Sequence, residues 1–190
     1  MAQPDTPIPQ RLIEVRRLES HDAASYREIR LESLQSHPEA FASSWEDEAA
    51  KPASWWTERL ETNTVLGGWI DGPPLLGVAG FRVHAAAKLR HKGILWGMYV
   101  RPQARGTGLA MSLVQRIIEQ AKPLVEELCL GVATSNRAAH RLYSAAGFEP
   151  YGLERRALKL GEEYYDELLM ALVLPHPKEL PPGTSHRPAQ

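Results

Sequence analysis

Residues 13–18, Ile-Glu-Val-Arg-Arg-Leu, alternate apolar and polar positions and predict a first strand. Ser20 and Asp22 offer N-caps for a helix running to about Gln35, with Ile29, Leu31 and Leu34 among its apolar positions. Residues 44–61 read as a second helical region, interrupted at Pro52. Thr64–Ile70 and Leu75–Val83 have strand character and are joined through the turn sequence Asp71-Gly72-Pro73-Pro74. Gly93–Val100 is a further strand, and Pro102 must end its pairing. A long amphipathic helix comes next. Leu109, Leu113 and Ile117 make one row at spacing four, and Ala110, Val114 and Ile118 make the adjacent row. Leu128–Ala133 is a short strand, and Asn136–Ala146 a short helix stopped by Gly147. Phe148–Leu160 and Tyr164–Leu174 read as a closing hairpin around Gly161. The order β-α-α-β-β-β-α-β-α-β-β predicts an α+β domain built on one central mixed sheet.

Composition narrows the picture. The chain has 190 residues, with 43% hydrophobic and 24% charged positions, ordinary values for one globular domain. Its 22 basic and 23 acidic residues nearly cancel, which argues against a whole-protein clamp on nucleic acid. The longest apolar run, Leu168–Leu174, is far short of a membrane span, and the N-terminal sequence has no signal-peptide pattern. The single cysteine, Cys129, excludes an intramolecular disulfide and a cysteine-based zinc cluster. A cytoplasmic protein with no metal is the expectation. Residues 1–10 and 175–190 are rich in proline and poor in apolar groups, so both are expected to be flexible tails around a folded unit at 11–174.

The stretch Val100-Arg101-Pro102-Gln103-Ala104-Arg105-Gly106-Thr107-Gly108-Leu109-Ala110 carries the candidate chemistry. A strand ends, a glycine-rich turn succeeds it and a long helix begins. Such a turn leaves backbone N–H groups pointing one way at the positive end of a helix dipole, which suits a phosphate or pyrophosphate. A plain strand-to-helix turn would need the same glycines. The dinucleotide pattern Gly-x-Gly-x-x-Gly is not completed, because its third position is Met111, and no P-loop lysine is present.

This stretch resembles the acyl-CoA loop of the GNAT acetyltransferase superfamily, whose signature Arg/Gln-x-x-Gly-x-Gly/Ala is met by Arg105, Gly108 and Ala110. A second register, through Gln103, Gly106 and Gly108, also satisfies it. Asn136, Tyr143 and Ala146-Gly147-Phe148 resemble the second cofactor motif, Tyr164–Met170 the last strand, and His37–Phe41 the acceptor-side helices of many members. The resemblance covers about residues 11–174. It implies a single GNAT-like domain: a mixed, mostly antiparallel sheet with a splayed pair of strands and helices on both faces. It also implies acetyl-CoA as cosubstrate and an amine acceptor as partner, with no nucleic acid and no membrane; a homodimer stays open.

Residue by residue, the resemblance assigns the backbone of Met98, Tyr99 and Val100 to the pantetheine arm, with the Met98 N–H polarising the thioester carbonyl. It assigns the N–H groups of Gly106, Thr107, Gly108, Leu109, Ala110 and Met111 to the pyrophosphate. Asn136 would bond the arm, and Tyr143 would be the general acid for the leaving thiolate. Arg101, Arg105, Arg137 and Arg141 are candidates for the remaining phosphate, each equally readable as a solvent-facing charge. Some relatives carry a Glu on the fifth strand as base, but that position is Gly131. Glu46, Glu48, His84 or a water chain are the alternatives. Trp45, Trp55, Trp56, Tyr164 and Tyr165 enrich the expected acceptor side, with Trp55 and Trp56 read as packing residues. Two rival functions remain at this level: a non-catalytic acyl-CoA-binding module and a nucleotide-binding regulatory domain.

Overall fold

Seven strands, β1 (Ile13–Arg17), β2 (Thr64–Ile70), β3 (Gly77–Val83), β4 (Lys92–Val100), β5 (Glu127–Ala133), β6 (Glu149–Leu160) and β7 (Glu163–Val173), form one sheet in the order β1-β2-β3-β4-β5-β7-β6. This is a computed structural model, and it describes residues 11–175. The expected tails fall outside the described residues, apart from Pro175. Helices α1 (Ala23–Ser36), α2 (Trp45–Ala49) and α3 (Ala53–Thr62) lie between β1 and β2, α4 (Leu109–Ala121) between β4 and β5, and α5 (Arg137–Ala145) between β5 and β6. All neighbouring strands run antiparallel except β4 and β5. A parallel pair needs a long crossover, and α4 supplies it. The α+β domain with one mixed sheet matches the sequence expectation in element order and in most boundaries. The last strand does not extend the sheet outward: β7 inserts between β5 and β6.

The row predicted on α4 is the centre of one core. Leu109, Leu113 and Ile117 are fully buried with Val114, whereas Ala110 and Ile118 are only partly covered. The helix comes close to the sheet because β2 and β3 present glycines beneath it. A Cβ at Gly68 would lie 2.6 Å from Leu109 Cδ1, and one at Gly77 2.9 Å from Leu113 Cδ1. On the opposite face, Tyr26 and Ile29 of α1 and Trp56 and Leu60 of α3 pack over Val65, Val78 and Tyr99. Truncating such a buried leucine to alanine typically costs about 2–5 kcal/mol, so both helical layers are held firmly to the sheet.

The expected cap at Asp22 is not formed. Asp22 precedes α1, but its carboxylate bonds Arg16 at 2.7 and 2.9 Å and the Glu19 N–H at 2.9 Å. A nearby guanidinium outcompetes the helix N–H groups for the carboxylate.

Two irregularities open the sheet. The β4–β5 register holds only for Lys92↔Glu127, Gly93↔Leu128 and Ile94↔Cys129, after which the strands separate. Further along β4 the pairing with β3 jumps from Gly80↔Trp96 to Val78↔Tyr99, so Gly97 and Met98 together oppose Ala79. Gly97 has φ +63°, a conformation that favours glycine. Such a bulge bends its strand and re-aims the groups beside it.

Candidate active site

The separation of β4 from β5 creates a cleft of about 540 Å³. Met98, Tyr99 and Val100 line it from β4, Arg105, Gly106 and Ala110 from the turn and α4, and Ala133, Ser135, Asn136 and Leu142 from the other wall. His37, Glu39 and Phe41 close one side. The Arg101 N–H donates to Leu76 C=O at 2.9 Å, so strand alternation turns the N–H and C=O of Val100 toward the unpaired edge. The Val100 carbonyl there accepts from Arg105 Nε at 3.3 Å.

At one end of the cleft lies the glycine-rich turn. Gly106 and Gly108 have φ +76° and +94°, and Gly108 is the residue at which α4 starts. Thr107 Oγ1 donates to Ala104 C=O at 2.7 Å and accepts weakly from the Leu109 N–H at 3.4 Å. The N–H groups of Gly106, Thr107, Gly108, Ala110 and Met111 have no protein partner among the described residues. Five free donors at the positive end of a 13-residue helix form an anion cradle.

The arginines divide. Arg105 lines the cleft and approaches His37 Nε2 at 3.2 Å. Arg137 and Arg141 are exposed on α5. Arg101 is not available to a phosphate. It is buried, and it bonds Glu28 and Glu32 on α1 and the Leu75 carbonyl. It ties α1 to the end of β4 instead.

Asn136 serves α5 first. Its Oδ1 accepts from the Ala139 N–H at 3.1 Å, a side-chain N-cap, which leaves the amide NH₂ of this cleft-lining residue without a protein partner among the described residues. Tyr143 sits about two turns further along α5 but does not line the cleft. Its ring is in the α4-side core, edge-on to Phe148 at 5.8 Å. Burial pushes its phenol above the ordinary value, so it stays protonated at neutral pH. Its hydroxyl has no hydrogen-bond partner among the described residues. It is not one of the sealed orphan atoms, which are Arg30 Nη1, Trp56 Nε1 and Trp96 Nε1.

A second cavity of about 590 Å³ lies between residues 34–46 and the β6–β7 hairpin. Glu39 and Phe41 line both spaces, so the two adjoin. Trp45 and Tyr165 line the second cavity, whereas Trp56 is fully buried and Trp55 stacks edge-on to it at 4.9 Å, as packing residues do. Among the candidate bases, Glu48 is buried in an ion pair with Arg30, Glu46 lines the second cavity, and His84 directly follows β3, with its backbone N–H donating to the Lys92 C=O. Sequence reading missed Ser135 and Leu142 in the cleft wall; a loop serine and one helical leucine carry no distinguishing pattern. Among the described residues no helix is long and apolar enough to cross a membrane.

The family model for the acetyltransferase (GNAT) family matches residues 26–148. Solved structures share the fold. A GNAT-family acetyltransferase from Streptococcus pneumoniae is 24% identical, with a TM-score of 0.75 over 86% of this chain and 100% of that one. A ribosomal-protein-alanine N-acetyltransferase from Brucella melitensis is 23% identical, with a TM-score of 0.70 over 85% and 99%. A phosphinothricin acetyltransferase from Sinorhizobium meliloti, solved in complex with AcCoA, is 18% identical, with a TM-score of 0.74 over 92% and 94%.

Proposed function

The chain belongs to the acetyltransferase (GNAT) family, and from that premise we propose that it moves an acetyl group from acetyl-CoA to a primary amine by direct attack, in the cytoplasm. The observation that carries this reading is one continuous cleft joining an anion cradle to an unpaired strand edge. The free N–H groups of Gly106, Thr107, Gly108, Ala110 and Met111 suit a pyrophosphate, with Leu109 N–H held in reserve by Thr107. The open edge of Met98–Val100 suits the amide groups of the pantetheine arm, which pair with it as a missing strand would. Asn136 offers its amide NH₂ to the same arm from the opposite wall. The bulge at Gly97–Met98 frees the Met98 N–H to bond the thioester oxygen and to stabilise the oxyanion formed on attack. Tyr143 protonates the departing sulfur. The adjoining cavity at Trp45 and Tyr165 receives the acceptor.

Calorimetry and a thiol-release screen test this. The protein should bind acetyl-CoA, and Gly108→Asp should weaken binding at least tenfold, about 1.4 kcal/mol. That substitution puts a side chain at φ +94° and a negative charge against the pyrophosphate. A panel of small and peptide amines, assayed by free CoA thiol, then identifies the acceptor. Unchanged acetyl-CoA binding in a folded Gly108→Asp protein overturns the cradle. Tight acetyl-CoA binding with no transfer to any amine favours the non-catalytic module instead.

A further inference from the structure

The acetyl-transfer reading, on which this inference rests, leaves one proton without a destination. An amine reaches the site as an ammonium at neutral pH and must lose a proton before it can attack. Most carboxylates around the cleft are already engaged. Glu48 faces Arg30 and Arg59, Glu28 and Glu32 hold Arg101, Glu127 holds Lys92, and Glu39 lies 3.5 Å from His37. Glu46, and Glu167 of β7, have neither an ion pair nor a side-chain hydrogen bond among the described residues; Glu46 is exposed at the second cavity, whereas Glu167 is half-buried and, though it lines neither cavity itself, stands beside a residue that does.

Its position is set by the sheet. Glu167 pairs in register with Ala133, which lines the cleft. Leu128, Leu130 and Val132 point into the α4 core, so Gly131 and Ala133 share the opposite face, the face covered by α1 and α3. There the Glu167 carboxylate lies over Gly131. A Cβ built on Gly131 would stand 2.5 Å from Oε2 and 3.2 Å from Cδ. Any side chain at 131 would claim this space, and glycine is what admits a carboxylate from the neighbouring strand.

We propose that Glu167 is the general base of the transfer, delivered across the sheet to the spot that Gly131 leaves open. The ammonium N–H bond breaks and its proton goes to a Glu167 oxygen. The freed nitrogen lone pair forms the N–C bond at the thioester carbonyl, and the C–S bond breaks with the sulfur taking the Tyr143 proton. The second N–H proton leaves as the intermediate collapses, and both residues exchange with solvent. The net change is one amide, one thiol and one released proton. Burial, and then the negative Glu154 opposite on β6, raise the Glu167 carboxyl above its ordinary value, toward the range in which a base is effective. Of its neighbours in the chain, Asp166 accepts the Arg156 N–H and Tyr165 donates to Glu163, while His140 of α5 bonds the carbonyl of Ala133, the register partner of Glu167.

The test uses the full chain and an amine found in the screen. kcat/KM is measured against pH for wild type, Glu167→Gln, Glu167→Ala and the exchange pair Gly131→Asp with Glu167→Ala. Wild type should rise with pH as Glu167 loses its proton. Glu167→Gln should lose that limb and run about 10²-fold slower near neutrality, with acetyl-CoA Kd within about threefold of wild type. The exchange pair should regain about tenfold over Glu167→Ala, because it returns a carboxylate to the same spot from β5; a merely structural role for Glu167 would not give this rescue. A Glu167→Gln rate within about threefold of wild type, with the acid limb intact, overturns the proposal. Failure of the acetyl-transfer reading looks different: wild type itself would bind acetyl-CoA and release no thiol, and the base assignment would fall with it.

Discussion

The Arg30 guanidinium and the Glu48 carboxylate meet through two hydrogen bonds, of 2.9 and 2.8 Å, with both side chains 4% exposed. Arg59 of α3 approaches the same carboxylate at 3.6 Å. One carboxylate thus gathers α1, α2 and α3, and the segment between α1 and α2 is the one that borders both cavities.

Removing one partner strands the other. Glu48→Ala should destabilise the protein by about 3–5 kcal/mol, because Arg30 keeps its charge with no counterion. The pH dependence has a definite sign. Burial alone would raise the Glu48 carboxyl, but the hydrogen bond and charge of Arg30, with Arg59, outweigh it and hold the group below its ordinary 4.5. A depressed carboxyl contributes stability that is complete above 4.5 and is lost as pH falls through the lowered value. The stability gap between wild type and Glu48→Gln in urea should therefore narrow as pH drops from 4.5. A gap that stays constant down to acid unfolding would mean that the pair is not ionised as described.

Asn136 has two jobs on two atoms, and they separate by substitution. Asn136→Ala removes the Oδ1 cap on Ala139 and the free NH₂ together. It should cost about 1 kcal/mol of stability and weaken acetyl-CoA binding. Asn136→Ser keeps a capping oxygen but lacks the reach of the amide. Its unfolding midpoint should sit near wild type while its acetyl-CoA affinity stays low. Calorimetry and denaturant titration on the same two proteins decide it, and a serine variant with full affinity would confine Asn136 to capping.

How local a signal is decides whether the chain alone discloses it. The row Leu109, Leu113 and Ile117 repeats with the helix period, and the cap at Asn136 and the stop at Gly147 are chemistry within one turn. These elements, and the glycine turn before α4, are legible in the sequence. The Gly97–Met98 bulge is not, since it is a mismatch between two strands whose register no single segment specifies. Arg101 reads as a free phosphate ligand for the same reason: its partners Glu28 and Glu32 are 73 and 69 residues away. The carboxylate over Gly131 depends on β7 pairing with β5 rather than lying outside β6, a choice made only when the sheet assembles.

Tyr143 is the assignment that most needs a kinetic test, because its ring belongs to the core and the cleft wall is made by its neighbours Ala139 and Leu142. Tyr143→Phe preserves the edge-on contact with Phe148 and removes only the O–H. The hydroxyl has no protein partner among the described residues to lose, so folding stability should stay within about 0.5 kcal/mol. A core tyrosine would show nothing more. As the acid that protonates the leaving thiolate, its loss should lower kcat by about 10²-fold, with acetyl-CoA affinity close to wild type. The raised phenol also makes a prediction in pH: the group stays protonated beyond its ordinary 10, so its loss of a proton should not limit kcat below that pH. The decisive measurement is kcat of Tyr143→Phe at saturating acetyl-CoA, with single-turnover rates to confirm that chemistry is being read. Retention of kcat within about threefold in that experiment would return Tyr143 to the core and give the thiolate its proton from water.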